Sequence, residues 1–243
     1  MTRPRFIPQH KLWLWRDLGA LVFVCGVLGS LLDQIHVRSG TLHYERPEFA
    51  GQAWWVFLQF GVTLAIAAWG ASMIVSRRGI LGAPPTEAPG AWAGGRSVRT
   101  RILIDFGWFA AAYGLSAAPS LSWNVGGEGV RIAGLVALTL LAVVRLRLRG
   151  NLRIALVALG LAIAGPAYEG LIASTKLFWY TDADFLHIPI WLPALYANGA
   201  PLAASIGQWL DERGWRHRVA RQQAFAGEEL IGETPMLDRP SSD

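Results

Sequence analysis

Six long apolar stretches constrain this chain more than any other feature of its sequence. They are Leu18–Gln34, Ala53–Val75, Ile102–Ala118, Val130–Leu146, Ile154–Phe178 and Ile188–Leu210. A helix needs about 20 residues to cross the hydrocarbon core of a bilayer. Only 16% of the residues are charged, whereas a soluble domain carries about 25%. We therefore predict an all-α fold, a polytopic membrane protein built as a six-transmembrane-helix bundle.

The basic residues alternate between the predicted loops in the way that orients membrane helices. Of the lysines and arginines, 18 fall on the side that holds both termini and 4 on the other side. Cytoplasmic loops carry such an excess, so both termini are predicted to be cytoplasmic. The strong preference for arginine over lysine is typical of a GC-rich bacterial genome, which places the protein in a bacterial plasma (inner) membrane.

The chain divides into three predicted segments. Residues 1–17 form a cytoplasmic N-terminal segment, residues 18–210 the transmembrane domain, and residues 211–243 a basic cytoplasmic tail that ends in disorder. A loop rich in proline and glycine, Gly79–Gly95, is predicted to be a flexible connector. The high pI of about 9.9 is interpreted as attraction to lipid headgroups rather than to nucleic acid.

Polar residues inside membrane spans are costly and raise a functional hypothesis by default. Glu169 follows Pro166, which removes a backbone donor and favours a kink that can open a cavity. A structural hydrogen bond to another helix is the alternative for Glu169. Asp33 and His36, at the outer end of the first span, are interpreted as headgroup contacts or partners of loop groups. Gln59 and Asn198 are interpreted as interhelical hydrogen-bonding residues.

Two acidic residues lie near predicted cytoplasmic helix ends. Asp17 follows Arg16, and Asp105 lies one turn after Arg101. We expect each carboxylate to pair with its neighbouring arginine at the membrane interface.

The sequence carries no recognisable catalytic or metal-binding motif. It has no Gly-rich phosphate loop, no Gly-x-Ser-x-Gly elbow and no paired histidines at helical spacing within a span. One cysteine, Cys25, excludes a disulfide within the chain. We therefore predict a non-enzymatic protein with no cofactor and no metal. A membrane enzyme acting on a lipid or isoprenoid, and a small transporter, are the alternatives.

Two stretches of the chain resemble the insulin-induced gene (Insig) family. The first runs from Gln34-Ile35-His36 through Thr41-Leu42 to Ala53-Trp54-Trp55-Val56 and Gly61. The second is Tyr180-Thr181-Asp182-Ala183-Asp184-Phe185-Leu186-His187-Ile188, followed by Trp191-Leu192-Pro193. The likeness covers most of the chain from the first to the sixth span, and the family is described as six-helix with cytoplasmic ends.

The resemblance implies a lipid sensor. Eukaryotic members bind oxysterols and retain a sterol-sensing escort protein in the endoplasmic reticulum. An aspartate that those proteins use for partner binding is matched here by Ser120, and the prolines after the Trp-Trp pair are replaced by Phe57 and Leu58. A eukaryotic-type sterol-sensing escort protein is therefore not expected as a partner.

What the resemblance leaves is a cavity for a membrane lipid with a neutral, hydroxylated head, either diacylglycerol-like or sterol-like. A charged headgroup would need a buried counter-charge, and the acidic Glu169 and Asp33 have the wrong sign for phosphate. The small residues on the helix faces also favour a homo-oligomer. The candidate ligand-binding residues are Trp55, Gln59, Tyr113, Glu169, Tyr196 and Asn198.

Overall fold

The computed structural model describes residues 15–75, 97–121, 123–149 and 151–213. Within these ranges the chain forms α1 Trp15–Arg38, β1 Leu42–Tyr44, α2 Val56–Val75, α3 Val98–Leu121, α4 Trp123–Arg149, α5 Leu152–Ser174, β2 Phe178–Tyr180 and α6 Leu192–Asn198. The predicted connector Gly79–Gly95, almost all of the N-terminal segment and the tail beyond residue 213 lie outside the described residues.

Among the described residues, four helices are long and apolar enough to cross a membrane, and the protein is an integral membrane protein. These spans are Asp17–Arg38, Val56–Val75, Glu128–Arg149 and Leu152–Ser174. Large apolar side chains such as Leu103, Leu148 and Leu171 point outward, as contact with lipid tails requires. The α3 helix is also long, with 24 residues, but three charged residues lie in its first two turns. The count of six spans and the cytoplasmic termini stay predictions.

The sixth helix starts later in the structure than the sequence predicts, and it is interrupted. It begins at Leu192 rather than at Ile188, because the Asp184 carboxylate accepts a hydrogen bond of 2.7 Å from the Ile190 backbone N–H and holds a turn there. The α6 helix ends at Asn198, and residues 200–213 are again helical. Pro201 has no N–H to donate to the carbonyl of Ala197, which accounts for the interruption.

The predicted fifth helix was extended too far, because Phe178 belongs to a strand. The α5 helix ends at Ser174, and Lys176 adopts a left-handed conformation with φ 64°. Strands β1 and β2 then pair in antiparallel register, with Leu42 opposite Tyr180 and Tyr44 opposite Phe178. Side chains alternate along β2: Phe178 and Tyr180 are buried while Trp179 is exposed. The pairing directs two tyrosines, Tyr44 and Tyr180, into the bundle.

The helices α1 and α2 pack closely because small residues lie at their contact. A Cβ added to Gly61 would lie 2.5 Å from the backbone oxygen of Val22, whereas one added to Gly70 would meet no atom within 4 Å. Close approach through small residues is the usual packing mode of membrane helices, where no hydrophobic effect drives association.

These two glycines of α2 give a matched test of the packing. Alanine raises the intrinsic helix propensity equally at both positions, but at Gly61 it collides with the backbone of α1. We expect Gly61→Ala to be about 1–3 kcal/mol less stable than Gly70→Ala, measured by thermal unfolding in detergent. Equal stability of the two variants would contradict the observed α1–α2 contact.

Candidate functional site

Two carboxyl groups are buried where the helices meet the two-stranded sheet. Asp33 on α1 is 3% exposed and Glu169 on α5 is 9% exposed. Both residues belong to helices that are long and apolar enough to cross a membrane. A buried carboxyl group is stable only if hydrogen-bond donors surround it, so the identity of those donors defines the site.

Asp33 is held by two residues of the connection between α1 and α2. The Tyr44 hydroxyl donates to Asp33 Oδ2 at 2.7 Å, and the Gln52 side-chain amide donates to the same oxygen at 2.7 Å. Gln52 also donates to the backbone oxygen of Ser30 at 2.9 Å. Burial, and next the Asp33 charge, raise the pKa of Tyr44 above its ordinary value, so this hydroxyl remains a donor at physiological pH.

Glu169 is held by two tyrosines, one for each carboxylate oxygen. The Tyr180 hydroxyl of β2 donates to Oε2 and the Tyr196 hydroxyl of α6 donates to Oε1. Gly165 lies one turn before Glu169, and a Cβ there would overlap the Tyr196 ring. This glycine therefore lets Tyr196 lie across α5 and reach the carboxylate. Burial, followed by the Glu169 charge, raises the pKa of Tyr180 well above its ordinary value.

A buried histidine completes the polar cluster. His36 Nε2 lies 2.8 Å from the Ser116 hydroxyl, which also lies 2.8 Å from the backbone oxygen of Tyr113. The Ser116 hydroxyl thus joins His36 to the backbone of α3, and the His36 tautomer decides which of the two side chains donates to the other. The His36 ring also stacks on Tyr113, with ring centroids 4.8 Å apart and planes inclined by 27°.

These groups surround a small cavity of about 10 Å³. Its lining consists of Asp33, His36, Leu42, Tyr44, Gln59, Phe60, Tyr113, Glu169, Phe178, Tyr180, Leu192 and Leu195. That volume accommodates about one water molecule. A larger polar group could enter only if the side chains of the wall move apart.

Three of the residues predicted from the sequence line this cavity: Gln59, Tyr113 and Glu169. Tyr196 lies beside it and contacts it through Glu169. Trp55 packs edge-on against the Tyr44 ring, with centroids 5.7 Å apart, and is therefore one layer away from the cavity.

Asn198 lies in a different polar cluster. Its side-chain amide donates to the backbone oxygens of Leu138 at 3.0 Å and Ala194 at 2.9 Å. Its backbone oxygen accepts a hydrogen bond of 2.6 Å from Arg145. The structure thus places Asn198 in a contact between α6 and α4 and not with the other candidate residues.

Four of the polar lining residues were not among the candidates: Asp33, His36, Tyr44 and Tyr180. Asp33 and His36 are spaced by three residues, which puts them on one helix face, and this signal was present in the sequence. Asp33 accepts hydrogen bonds from loop groups, one of the two interpretations the sequence allowed. The two tyrosines follow from strand alternation, which runs of three residues are too short to reveal.

The interfacial aspartates pair with arginines from distant parts of the chain. Asp105 pairs with Arg145, at 3.3 Å, and with Arg149, both on α4. Asp17 lies 3.3 Å from Arg213. For Asp105 the prediction from sequence proximity was wrong, because its partners lie on α4 and no ion pair joins it to Arg101 among the described atoms. The side chain of Arg16, the predicted partner of Asp17, lies outside the described residues.

Comparison with known proteins identifies the fold. No family model matches the sequence, and neither does any curated protein. Among solved structures, the mycobacterial Insig homologue MvINS from Mycobacterium vanbaalenii is similar, with a TM-score of 0.63 and 18% identity over 84% of this chain and 97% of that chain. A cross-linked MvINS trimer matches with the same values. The Insig resemblance is confirmed at the level of the fold.

The role of the tyrosine donors can be tested with two phenylalanine substitutions. Tyr180→Phe removes a donor to the buried Glu169, whereas Tyr168→Phe removes the same atom from a ring that is 39% exposed. We expect Tyr180→Phe to lower the free energy of unfolding by about 1–3 kcal/mol and Tyr168→Phe to change it little. Thermal unfolding in detergent measures both, and a Tyr180→Phe protein as stable as the wild type would contradict the assigned hydrogen bond.

Proposed function

We propose that this chain is an Insig-like membrane protein that binds a neutral, hydroxylated lipid, diacylglycerol-like or sterol-like, inside its helix bundle. The observation that carries the proposal is the polar cavity formed around Tyr113, Asp33 and Glu169, the last two on helices long and apolar enough to cross a membrane. Ionisable groups inside membrane-spanning helices are rare and often mark binding or transport sites in membrane proteins.

The charge of the cavity favours a neutral headgroup. Among the described residues, its lining contains two carboxyl groups and no lysine or arginine. A phosphate group would meet like charge there without a compensating cation. A hydroxyl group, by contrast, can donate to a carboxylate and accept from a tyrosine or an amide at the same time.

The headgroup enters this cavity from the α2 side, where the lining side chains move apart. Gln59 and Phe60 line the cavity from α2 and are only half-buried, while Leu58 and Val62 beside them face outward. A lipid hydroxyl group would occupy the water-sized space between the carboxyl groups of Asp33 and Glu169. Its acyl chains would then exchange one hydrocarbon contact for another, so the selectivity comes from the hydrogen bonds of the head.

The proposal predicts a specific lipid in the purified protein. After detergent exchange, mass spectrometry should show one neutral, hydroxylated lipid enriched over a membrane extract at about one molecule per protomer. Glu169→Gln, which keeps the shape but removes the charge of the acceptor, should retain about tenfold less of it. Glu45→Gln makes the same change at an exposed position and should retain the wild-type amount.

Two kinds of result contradict the proposal, the first from this experiment and the second from assays with added lipid or with sealed vesicles. One is a lipid profile indistinguishable from the bulk membrane. The other is conversion of the added lipid or isoprenoid into a product, or its flux across sealed vesicles, which would make the protein an enzyme or a transporter.

The assembly and its location are part of the same proposal. The trimer of MvINS supports a homo-oligomer, and the loop charges support a bacterial plasma membrane with both termini in the cytoplasm. Light scattering of the detergent-solubilised protein should give a multiple of the 26.5 kDa protomer mass, and a monomeric mass would contradict the homo-oligomer.

The topology is tested by reporter enzymes fused to the C terminus. A reporter that works only in the cytoplasm should be active there, and one that works only outside the cytoplasm should be inactive.

A further inference from the structure

A second and larger cavity lies further toward the N-terminal end of α3. Its volume is about 560 Å³, and its lining includes Arg101, Asp105, Trp108, Arg145, Arg149 and Ser205. Asp105 lines this cavity and Tyr113 lines the first one, and their separation of eight residues on α3 corresponds to about 12 Å along the helix axis. The two cavities are therefore separate in position, and their chemistry differs as well.

The charge of this cavity is opposite to that of the first. Three arginines and one aspartate line it. Asp105 is already satisfied by Arg145 at 3.3 Å, by Arg149 and by the Ser205 hydroxyl at 2.7 Å. One carboxylate is thus shared by two guanidinium groups, and positive charge remains in excess within the lining.

Arg101 supplies the unused hydrogen-bonding capacity. It is 8% exposed, and its Nε has no hydrogen-bond partner among the described atoms. Glu212 and Asp105 act on it electrostatically, but Glu212 does not line the cavity. A buried, unpaired donor of a charged group is costly, and an anionic oxygen inside the cavity would remove that cost.

The outer wall of the cavity suits an amphiphile. Ile104, Trp108 and Leu148 line it and are exposed on the outward faces of α3 and α4. Trp108 follows Arg101 by seven residues, or about 10 Å along the helix. An anionic head beside Arg101 would therefore place its acyl chains along this apolar wall.

We propose that this cavity binds the phosphate group of an anionic phospholipid, with Arg101 as its main contact. The planar guanidinium donates in parallel to two phosphate oxygens, and Arg149 flanks the same space. This site is independent of the neutral-lipid cavity, so either can fail while the other stands.

Native mass spectrometry of the full chain in detergent tests the site by titration with dioleoylphosphatidylglycerol. Dioleoylglycerol serves as a probe without phosphate and inorganic phosphate as a probe without acyl chains. Arg101→Gln should weaken phosphatidylglycerol binding about tenfold. Arg99→Gln removes the same charge from an exposed position on the same helix and should change the affinity less than about twofold. Arg101→Lys keeps the charge but loses the two parallel N–H donors of the guanidinium, so its loss of phosphatidylglycerol affinity should be intermediate.

Several results would overturn the proposal. Equal losses of phosphatidylglycerol affinity in Arg99→Gln and Arg101→Gln would show only a general attraction of basic residues to anionic lipid. If dioleoylglycerol displaced phosphatidylglycerol at equal concentration, the phosphate group would not be required for binding. Inorganic phosphate that binds as tightly as the phospholipid would remove the lipid. An unfolding temperature of Arg101→Gln in detergent that is unchanged from the wild type shows that the variant is folded.

Discussion

The structure depends on the pairing of two buried carboxyl groups with tyrosine hydroxyls. Asp33 accepts from Tyr44, and Glu169 accepts from Tyr180 and Tyr196. A carboxyl group without donors at this depth would cost several kcal/mol. Each hydrogen bond joins a long helix to another part of the chain, so the same contacts that satisfy the carboxyl groups also position β1, β2 and α6 against α1 and α5.

The short sheet positions two of these hydrogen-bond donors, Tyr44 and Tyr180. Strand pairing sets Tyr44 opposite Phe178 and Leu42 opposite Tyr180, and the two tyrosines point to the same interior face. Three-residue strands have little stability of their own. Packing of their aromatic rings, including the edge-to-face contact of Tyr180 with Trp191 at 6.0 Å, fixes them on the bundle. The cavity between the carboxyl groups follows from this arrangement.

Much of the architecture could be predicted from the sequence, because lipid imposes strong rules on composition. The membrane character, most helix positions and the Insig likeness were predicted, and Glu169 was selected for its depth and its proximity to Pro166. The strands were not predicted, since Phe178 continues an apolar run that looks helical. Asp105 was assigned the wrong partner, because Arg149 lies 44 residues away in sequence and helices that are apolar on every side do not reveal their contacts.

The central claim is that the carboxyl–tyrosine cluster receives a lipid hydroxyl group. An experimental structure of the protein purified with dioleoylglycerol tests it most directly. The account predicts that Gln59 and Phe60 move outward and that the glycerol hydroxyl lies within hydrogen-bond distance of Glu169 or Asp33. A structure in which the cavity keeps its present volume of about 10 Å³, with lipid only on the outer helix faces, would contradict it.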